Sequence, residues 1–195
     1  MSGKFASSNE NRTMKRVHAF LIAALVAVGV MTAATTAGAA PADPEHARLG
    51  AMIGTWDVDL TFWFRPGGAG LTTKGTSTIR PLFDGLFVEE KIEGALAGTP
   101  FTTLAWTGFN TATHQYEATR IASTNSGRIA ETGGYDETAK QFVLKADYVL
   151  AGDTWHQRTV IAPVSVDAMT ASSYLSFGSV PEWKAVEIKY TRRSR

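Results

Sequence analysis

The sequence predicts an all-β protein: a single antiparallel up-and-down barrel of about ten strands with a short N-terminal helix. Apolar and polar residues alternate with a period of two from residue 54 onward. Turn-forming residues interrupt this alternation at intervals of about 8–12 residues, and no segment between them has the period of a long amphipathic helix. The same spacing fits an open sandwich, which is the alternative architecture.

The predicted elements follow in order along the chain. A linker and a short helix occupy residues 40–53, with Asp43 as the N-cap and Pro44 at the first helical position. The barrel domain occupies residues 54–195. Two-residue hairpin turns are expected at Asp84-Gly85 and Gly152-Asp153. The expected strands are 56–64, 72–79, 86–93, 101–109, 115–122, 128–134, 141–150, 154–161, 169–177 and 183–192.

Residues 1–39 have the pattern of a signal peptide that is removed on export. Met14-Lys15-Arg16 provides a basic start, residues 19–31 are apolar, and Ala37-Gly38-Ala39 resembles a cleavage site. The apolar run is too short to span a bilayer comfortably, which disfavours the alternative of a membrane anchor. Because residues 1–13 are polar and without pattern, translation starts at either Met1 or Met14. We expect no stable membrane anchor after cleavage.

Composition excludes several classes of function. Cleavage after Ala39 removes four basic residues and one acidic residue from totals of 19 and 18, which leaves a net charge of −2. Such a domain lacks the basic surface of a nucleic-acid binder. The chain has no cysteine, which excludes disulfides, thiolate metal sites and a cysteine nucleophile. An exported domain without disulfides relies on its core, so we expect a periplasmic or secreted bacterial protein.

Gly54-Thr55-Trp56 directly follows the predicted helix and opens the first strand. This element resembles the Gly-x-Trp start of lipocalins and related calycin barrels. In those families the tryptophan packs against an arginine of the last strand, so the resemblance implies that Arg192 is the barrel-closing partner of Trp56. An indole face attracts a guanidinium through a cation–π contact, which makes this structural pair chemically reasonable.

A longer series of short motifs resembles a bacterial family known as domain of unknown function 1579. These motifs are Gly54-Thr55-Trp56, Gly75-Thr76-Ser77-Thr78, Asp84-Gly85-Leu86-Phe87, Glu93-Gly94, Gly98-Thr99-Pro100-Phe101, Gly108-Phe109-Asn110, Tyr116, Tyr135-Asp136 and Tyr190-Thr191-Arg192. The resemblance spans nearly the whole predicted barrel and implies a lipocalin-like fold, but no particular activity. The family tends to carry a tryptophan where this chain has Arg120, which predicts a different ligand if that position lines a cavity.

Charges on inward-facing positions are the main candidates for a ligand site. Glu90 shares its strand face with aliphatic residues, and Arg120 shares its face with Tyr116 and two alanines. A buried charge is costly without a partner or water, so both side chains predict polar anchors in a pocket, with Arg120 orienting a carboxylate or a carbonyl. The alternative is a register bulge or a structural Glu–Arg pair near the rim, because a one-residue slip exchanges the faces.

Tyr148 and Trp155 flank the predicted turn at Gly152-Asp153 and are the other expected pocket residues, with an ordinary aromatic core as the alternative. No catalytic residue and no metal ligand is predicted, because the H-x-H, HExxH and GxSxG patterns are absent. No cofactor is predicted either: haem held by His156 or His114 is disfavoured, since a lone histidine usually has a structural or surface role.

The leading hypothesis is an exported lipocalin-like protein that binds a small, largely apolar molecule in its barrel. One alternative is an interaction or envelope module whose barrel is filled by its own side chains. The other is a barrel enzyme of isomerase or dehydratase type, with Glu90 as acid or base. An enzyme is the less favoured class, because only this one inward carboxylate supports it.

Overall fold

The computed structural model describes residues 43–193. Ten antiparallel strands form a closed barrel in which each strand pairs with its neighbours in sequence and β1 closes on β10. The strands are β1 Gly54–Phe62, β2 Leu71–Leu82, β3 Phe87–Leu96, β4 Thr99–Asn110, β5 Gln115–Ala122, β6 Arg128–Asp136, β7 Gln141–Leu150, β8 Asp153–Ser165, β9 Ala168–Phe177 and β10 Val180–Arg192. The predicted all-β up-and-down barrel is confirmed, and the open sandwich is excluded. The predicted signal peptide lies outside the described residues.

The strands form because their side chains alternate between the barrel interior and the solvent. In β1, Trp56, Val58 and Leu60 are buried while Asp57 and Asp59 are exposed. Pairing is regular in the ladders from β1–β2 to β7–β8, and register shifts occur only in the β8–β9 and β9–β10 ladders of the described chain. The parity of a residue therefore tells which face it occupies in most of the barrel.

The helix α1, Pro44–Gly50, covers one end of the barrel, which we call the helix end. Asp43 caps it by accepting a hydrogen bond from the Glu45 amide at 3.0 Å, as the sequence predicts. Leu49 is fully buried in the core below. The opposite end, where β1 ends and β7 turns into β8, is the far end and has no helix among residues 43–193. No described helix combines the length and hydropathy that crossing a membrane requires.

Both predicted hairpin turns are wrong in register. Leu150 pairs with Asp153, so the turn consists of Ala151 and Gly152, with φ of 54° and 91°. This is one residue earlier than expected, because Asp153 still pairs in the ladder. The β2–β3 connection has four residues, 83–86, rather than two, because Leu82 pairs with Phe87. Residues 83–85 form a 3-10 turn.

Candidate ligand site

The helix end is held by Trp56 and Arg192. The Arg192 Cζ lies 4.0 Å from the centroid of the Trp56 ring, and the two residues are paired across β1 and β10. The guanidinium also donates hydrogen bonds to three carbonyls, of Ala51, Ile53 and Val166, at 3.2, 2.7 and 2.8 Å. The carbonyls of Ala51 and Ile53 follow α1. This pair is a structural clamp between helix and barrel.

Glu90 and Arg120 both point into the barrel. Glu90 on β3 pairs with Ala105 on β4, and Ala105 pairs with Arg120 on β5. No register shift occurs in these ladders, so the alternative of a bulge that turns either charge outward is wrong. Because Ala105 has a small side chain, it leaves room between the two longer ones.

Glu131 on β6 is the third charged residue of the interior, and the sequence did not predict it. Its side chain is fully buried. Oε1 accepts hydrogen bonds from Thr159 Oγ1 at 2.5 Å and from Gln157 Nε2 at 3.1 Å. Oε2 has no hydrogen-bond partner, and Arg120 Nη2 lies 3.8 Å from it, too far for a hydrogen bond.

Glu90 has its own polar partners on the other side of the barrel. Its Oε1 accepts hydrogen bonds from Ser77 Oγ at 2.7 Å and from the Tyr190 hydroxyl at 3.0 Å. Burial raises the pKa of Tyr190 well above its usual value, and the charge of Glu90 raises it further. Tyr190 therefore remains a neutral hydroxyl that donates to Glu90.

The positive charge of Arg120 interacts with the carboxylates of both Glu90 and Glu131. Burial by itself lowers the pKa of Arg120, but the negative charges of Glu131 and Glu90 outweigh this effect and raise it. About a quarter of the side chain, 27%, is exposed, whereas the Glu131 side chain beside it is completely buried. Arg120 thus connects a buried acceptor to the part of the interior that solvent reaches.

The other two predicted pocket residues also have inward parity. The Tyr148 hydroxyl donates to Gln157 Oε1 at 3.4 Å and so joins the Glu131 network, and burial, followed by the charge of Glu131, raises its pKa. Trp155 lies nearer the far end, where its ring stacks on Phe177 with centroids 4.2 Å apart. Trp183 contacts both rings edge-on. One cluster therefore contains Glu90, Arg120 and Tyr148, and Trp155 lies at its rim. We call Glu90, Arg120, Glu131, Tyr148, Gln157 and Thr159 the polar cluster.

The residues that sequence reasoning missed are Glu131, Gln157 and Thr159. The alternation of β6 indicates that Glu131 points inward, because Glu131 shares its face with Ile129 and Tyr135. The strand register then brings Glu131 close to Arg120. Glu131 pairs with Ala118, which is next to Arg120 on the inward face of β5.

This arrangement can recognise a polar group within an otherwise apolar interior. It provides one guanidinium, two carboxylates and several hydroxyl and amide groups. Within residues 43–193, no three histidine, aspartate or glutamate side chains come close enough together to hold a metal ion. His156 and His114, the two histidines considered for haem, are both exposed, and His156 pairs with Asp147.

A family model described as "Protein of unknown function (DUF1579)" matches residues 41–192. The chain belongs to the DUF1579 family. The match covers the whole barrel, and it includes every residue of the polar cluster. No curated protein matches the chain.

Two solved structures are similar to this DUF1579 protein at low sequence identity. The S-type phycobiliprotein lyase from Guillardia theta is 10% identical, with a TM-score of 0.51, over 75% of this chain and 91% of that one. A redesigned beta barrel is 11% identical, with a TM-score of 0.43, over 75% of this chain and 96% of that one. The lyase supports a lipocalin-like barrel as the fold.

Proposed function

We propose that this DUF1579 protein binds a small, largely apolar molecule inside its barrel, with the polar cluster as its anchor. One observation carries the proposal: Glu131 is fully buried, one of its oxygens has no hydrogen-bond partner, and a partly exposed Arg120 lies beside it. Burying charge costs several kcal/mol, about as much as good geometry returns, so a purely structural interior gains more from apolar residues. Binding of a polar ligand group explains why the interior contains these charges.

Apolar side chains surround the cluster on its far-end side. Trp155, Phe177 and Trp183 form an aromatic group there, and all three are only partly buried. Aromatic rings bind apolar molecules through large contact areas and stacking. We infer that the ligand enters at the far end, because α1 and the Arg192 clamp cover the helix end. The phycobiliprotein lyase supports this proposal at the level of fold only.

Titration with 1-N-phenylnaphthylamine, an apolar probe whose fluorescence rises in an apolar environment, tests the proposal. We expect saturable uptake of one probe per chain by the wild-type protein. Filling the space beside the cluster with Ala105→Leu should weaken uptake at least tenfold, a loss of about 1.4 kcal/mol. The matched control is Ala139→Leu, in the exposed β6–β7 turn, which should leave uptake unchanged.

Absence of uptake by the wild-type protein would contradict the proposal and favour an interaction or envelope module with a filled barrel. Uptake that is equal in Ala105→Leu and Ala139→Leu would also contradict it, because the probe would then be bound on the outer surface. The isomerase or dehydratase alternative gains no specific support, since Glu90, its proposed acid or base, already accepts hydrogen bonds from Ser77 and Tyr190.

We also propose that the protein acts after export, in the periplasm or the medium. The signal-like pattern of residues 1–39 supports this. The intact mass of protein isolated from a periplasmic extract should correspond to a chain that begins at Ala40. A chain retained in the cytoplasm with its N-terminal segment uncleaved would contradict export.

A further inference from the structure

One buried carboxylate oxygen of the polar cluster has no hydrogen-bond donor. Glu131 Oε1 accepts two hydrogen bonds, but Oε2 accepts none. Two donors of the cluster are already engaged, because the Thr159 hydroxyl and the Gln157 amide both point at Oε1. A buried carboxylate oxygen normally has a hydrogen-bond donor, so the unpartnered one marks a place for a donor from outside the chain.

The net charge of the cluster also favours a hydrogen-bond donor over a carboxylate. Glu90 and Glu131 contribute two negative charges and Arg120 one positive charge, which leaves the cluster one negative charge in excess. A ligand carboxylate on Arg120 would bring a third negative charge beside two others in a partly dehydrated space. Like charges at short range in such a medium repel strongly. A neutral or cationic donor adds no such repulsion.

Glu131 faces a small side chain across its ladder. Its partner across the β5–β6 ladder is Ala118, and Ala105 lies between Glu90 and Arg120. Arg120, whose side chain is partly exposed, is the nearest charged group to Oε2. Solvent therefore reaches the side of the cluster from which a ligand would approach.

We propose that the ligand's anchoring group is a hydrogen-bond donor, a hydroxyl or an amine, which binds Glu131 Oε2, and that carboxylate ligands are rejected. This inference rests on the proposed function and specifies its ligand class. It differs from the expectation that Arg120 orients a carboxylate, because Glu131 and Glu90 already neutralise that guanidinium.

Four naphthalenes that differ in one substituent test this on the wild-type protein by isothermal titration calorimetry at pH 7. They are 2-naphthol, 2-naphthylmethylamine, 2-naphthoate and 2-methylnaphthalene. A hydrogen bond to a charged group contributes about 1.5–3 kcal/mol. We therefore expect the alcohol and the amine to bind at least about tenfold more tightly than the methyl compound, and 2-naphthoate to bind more weakly than all three.

Glu131→Gln supplies the matched variant. Its amide keeps an oxygen for Thr159 and Gln157 but removes the negative charge and replaces the free acceptor with a donor. The variant should lose the preference for the alcohol and the amine and gain affinity for 2-naphthoate. Glu117→Gln is the control, because Glu117 is exposed on the outer face of β5, where it accepts from Asn110. It should keep the wild-type order of affinities.

The outcomes separate the two proposals. If no naphthalene binds the wild-type protein, the proposed function fails. If 2-methylnaphthalene binds as tightly as the alcohol and the amine, or 2-naphthoate binds most tightly, the barrel binds ligands but the donor inference is overturned. If Glu131→Gln fails to fold, which far-UV circular dichroism would show, the wild-type series alone still decides.

Discussion

Arg120 Nη2 and Glu131 Oε2 lie 3.8 Å apart inside the barrel, close enough for a strong electrostatic interaction but too far apart for a hydrogen bond. Glu131 is the more buried partner and Arg120 the more accessible one. The pair therefore costs free energy to bury, and it leaves Glu131 Oε2 without a hydrogen-bond donor. This combination is typical of binding sites, where a ligand supplies what the protein leaves out.

The coupling between these two side chains is measurable by a double-mutant cycle. Arg120→Met should lower the free energy of unfolding by about 2 kcal/mol or more, because it leaves Glu131 buried without a cation. In a Glu131→Gln background the same change should cost at least about 1 kcal/mol less. Urea denaturation of the four proteins at pH 7 gives both values. Effects that add within about 0.5 kcal/mol would show that the pair is not coupled.

Arg192→Lys should destabilise the barrel by about 1–3 kcal/mol. A lysine ammonium cannot reach three carbonyls and cover the Trp56 ring together, so at least one of these carbonyls loses its charged hydrogen-bond donor. Arg193→Lys is the control, because the Arg193 side chain makes only an exposed pair with Asp57 among the described residues. Equal stability of the two variants in urea denaturation would contradict the clamp.

Acid should weaken the attachment of α1 through Glu45. Its hydrogen bond with Arg48 lowers the pKa of Glu45 below the ordinary value of 4.5, and the Tyr116 hydroxyl also donates to it, at 2.6 Å. The stabilisation is therefore complete above pH 4.5 and is lost as the pH falls through the lowered pKa. Glu45→Gln should destabilise the protein by up to about 1 kcal/mol at pH 7 and by less at pH 3. A difference that does not change with pH would contradict this.

Ala105→Leu distinguishes a ligand cavity from a filled interior by its effect on stability. If space exists between Glu90 and Arg120, the isopropyl group that leucine adds should change the free energy of unfolding by less than about 1 kcal/mol. If the interior is already filled, overpacking should cost about 1–3 kcal/mol. Urea denaturation in the absence of ligand measures this, and a cost in the upper part of that range would support the filled barrel.

Period-two alternation predicted the barrel and the inward direction of Glu90 and Arg120, because a regular strand fixes the face of each residue by parity alone. Turn register was less predictable. Asp153 is a common turn residue, but here it pairs with Leu150, and Ala151 takes the position with positive φ. Turn composition alone does not determine which residues of a hairpin still pair.

Features that depend on pairing between distant strands could not be predicted from one strand's pattern. Glu131 meets Arg120 because of the β5–β6 register. Trp183 lies on the parity opposite to Tyr190, yet register shifts in the β9–β10 ladder place it opposite Leu175, in contact with Trp155 and Phe177. A bulge exchanges faces without a clear sequence signal.

Native mass spectrometry of the protein isolated from cells that produce it shows directly whether the barrel holds a ligand. We predict a stoichiometric small molecule that carries a hydroxyl or amine group, is retained by Glu117→Gln and is lost from Glu131→Gln. Glu117 is the matched glutamate, because it is exposed on the outer face of β5, where it accepts a hydrogen bond from Asn110. A wild-type mass equal to that of the bare chain, together with no uptake of 1-N-phenylnaphthylamine, would contradict a ligand site in this barrel.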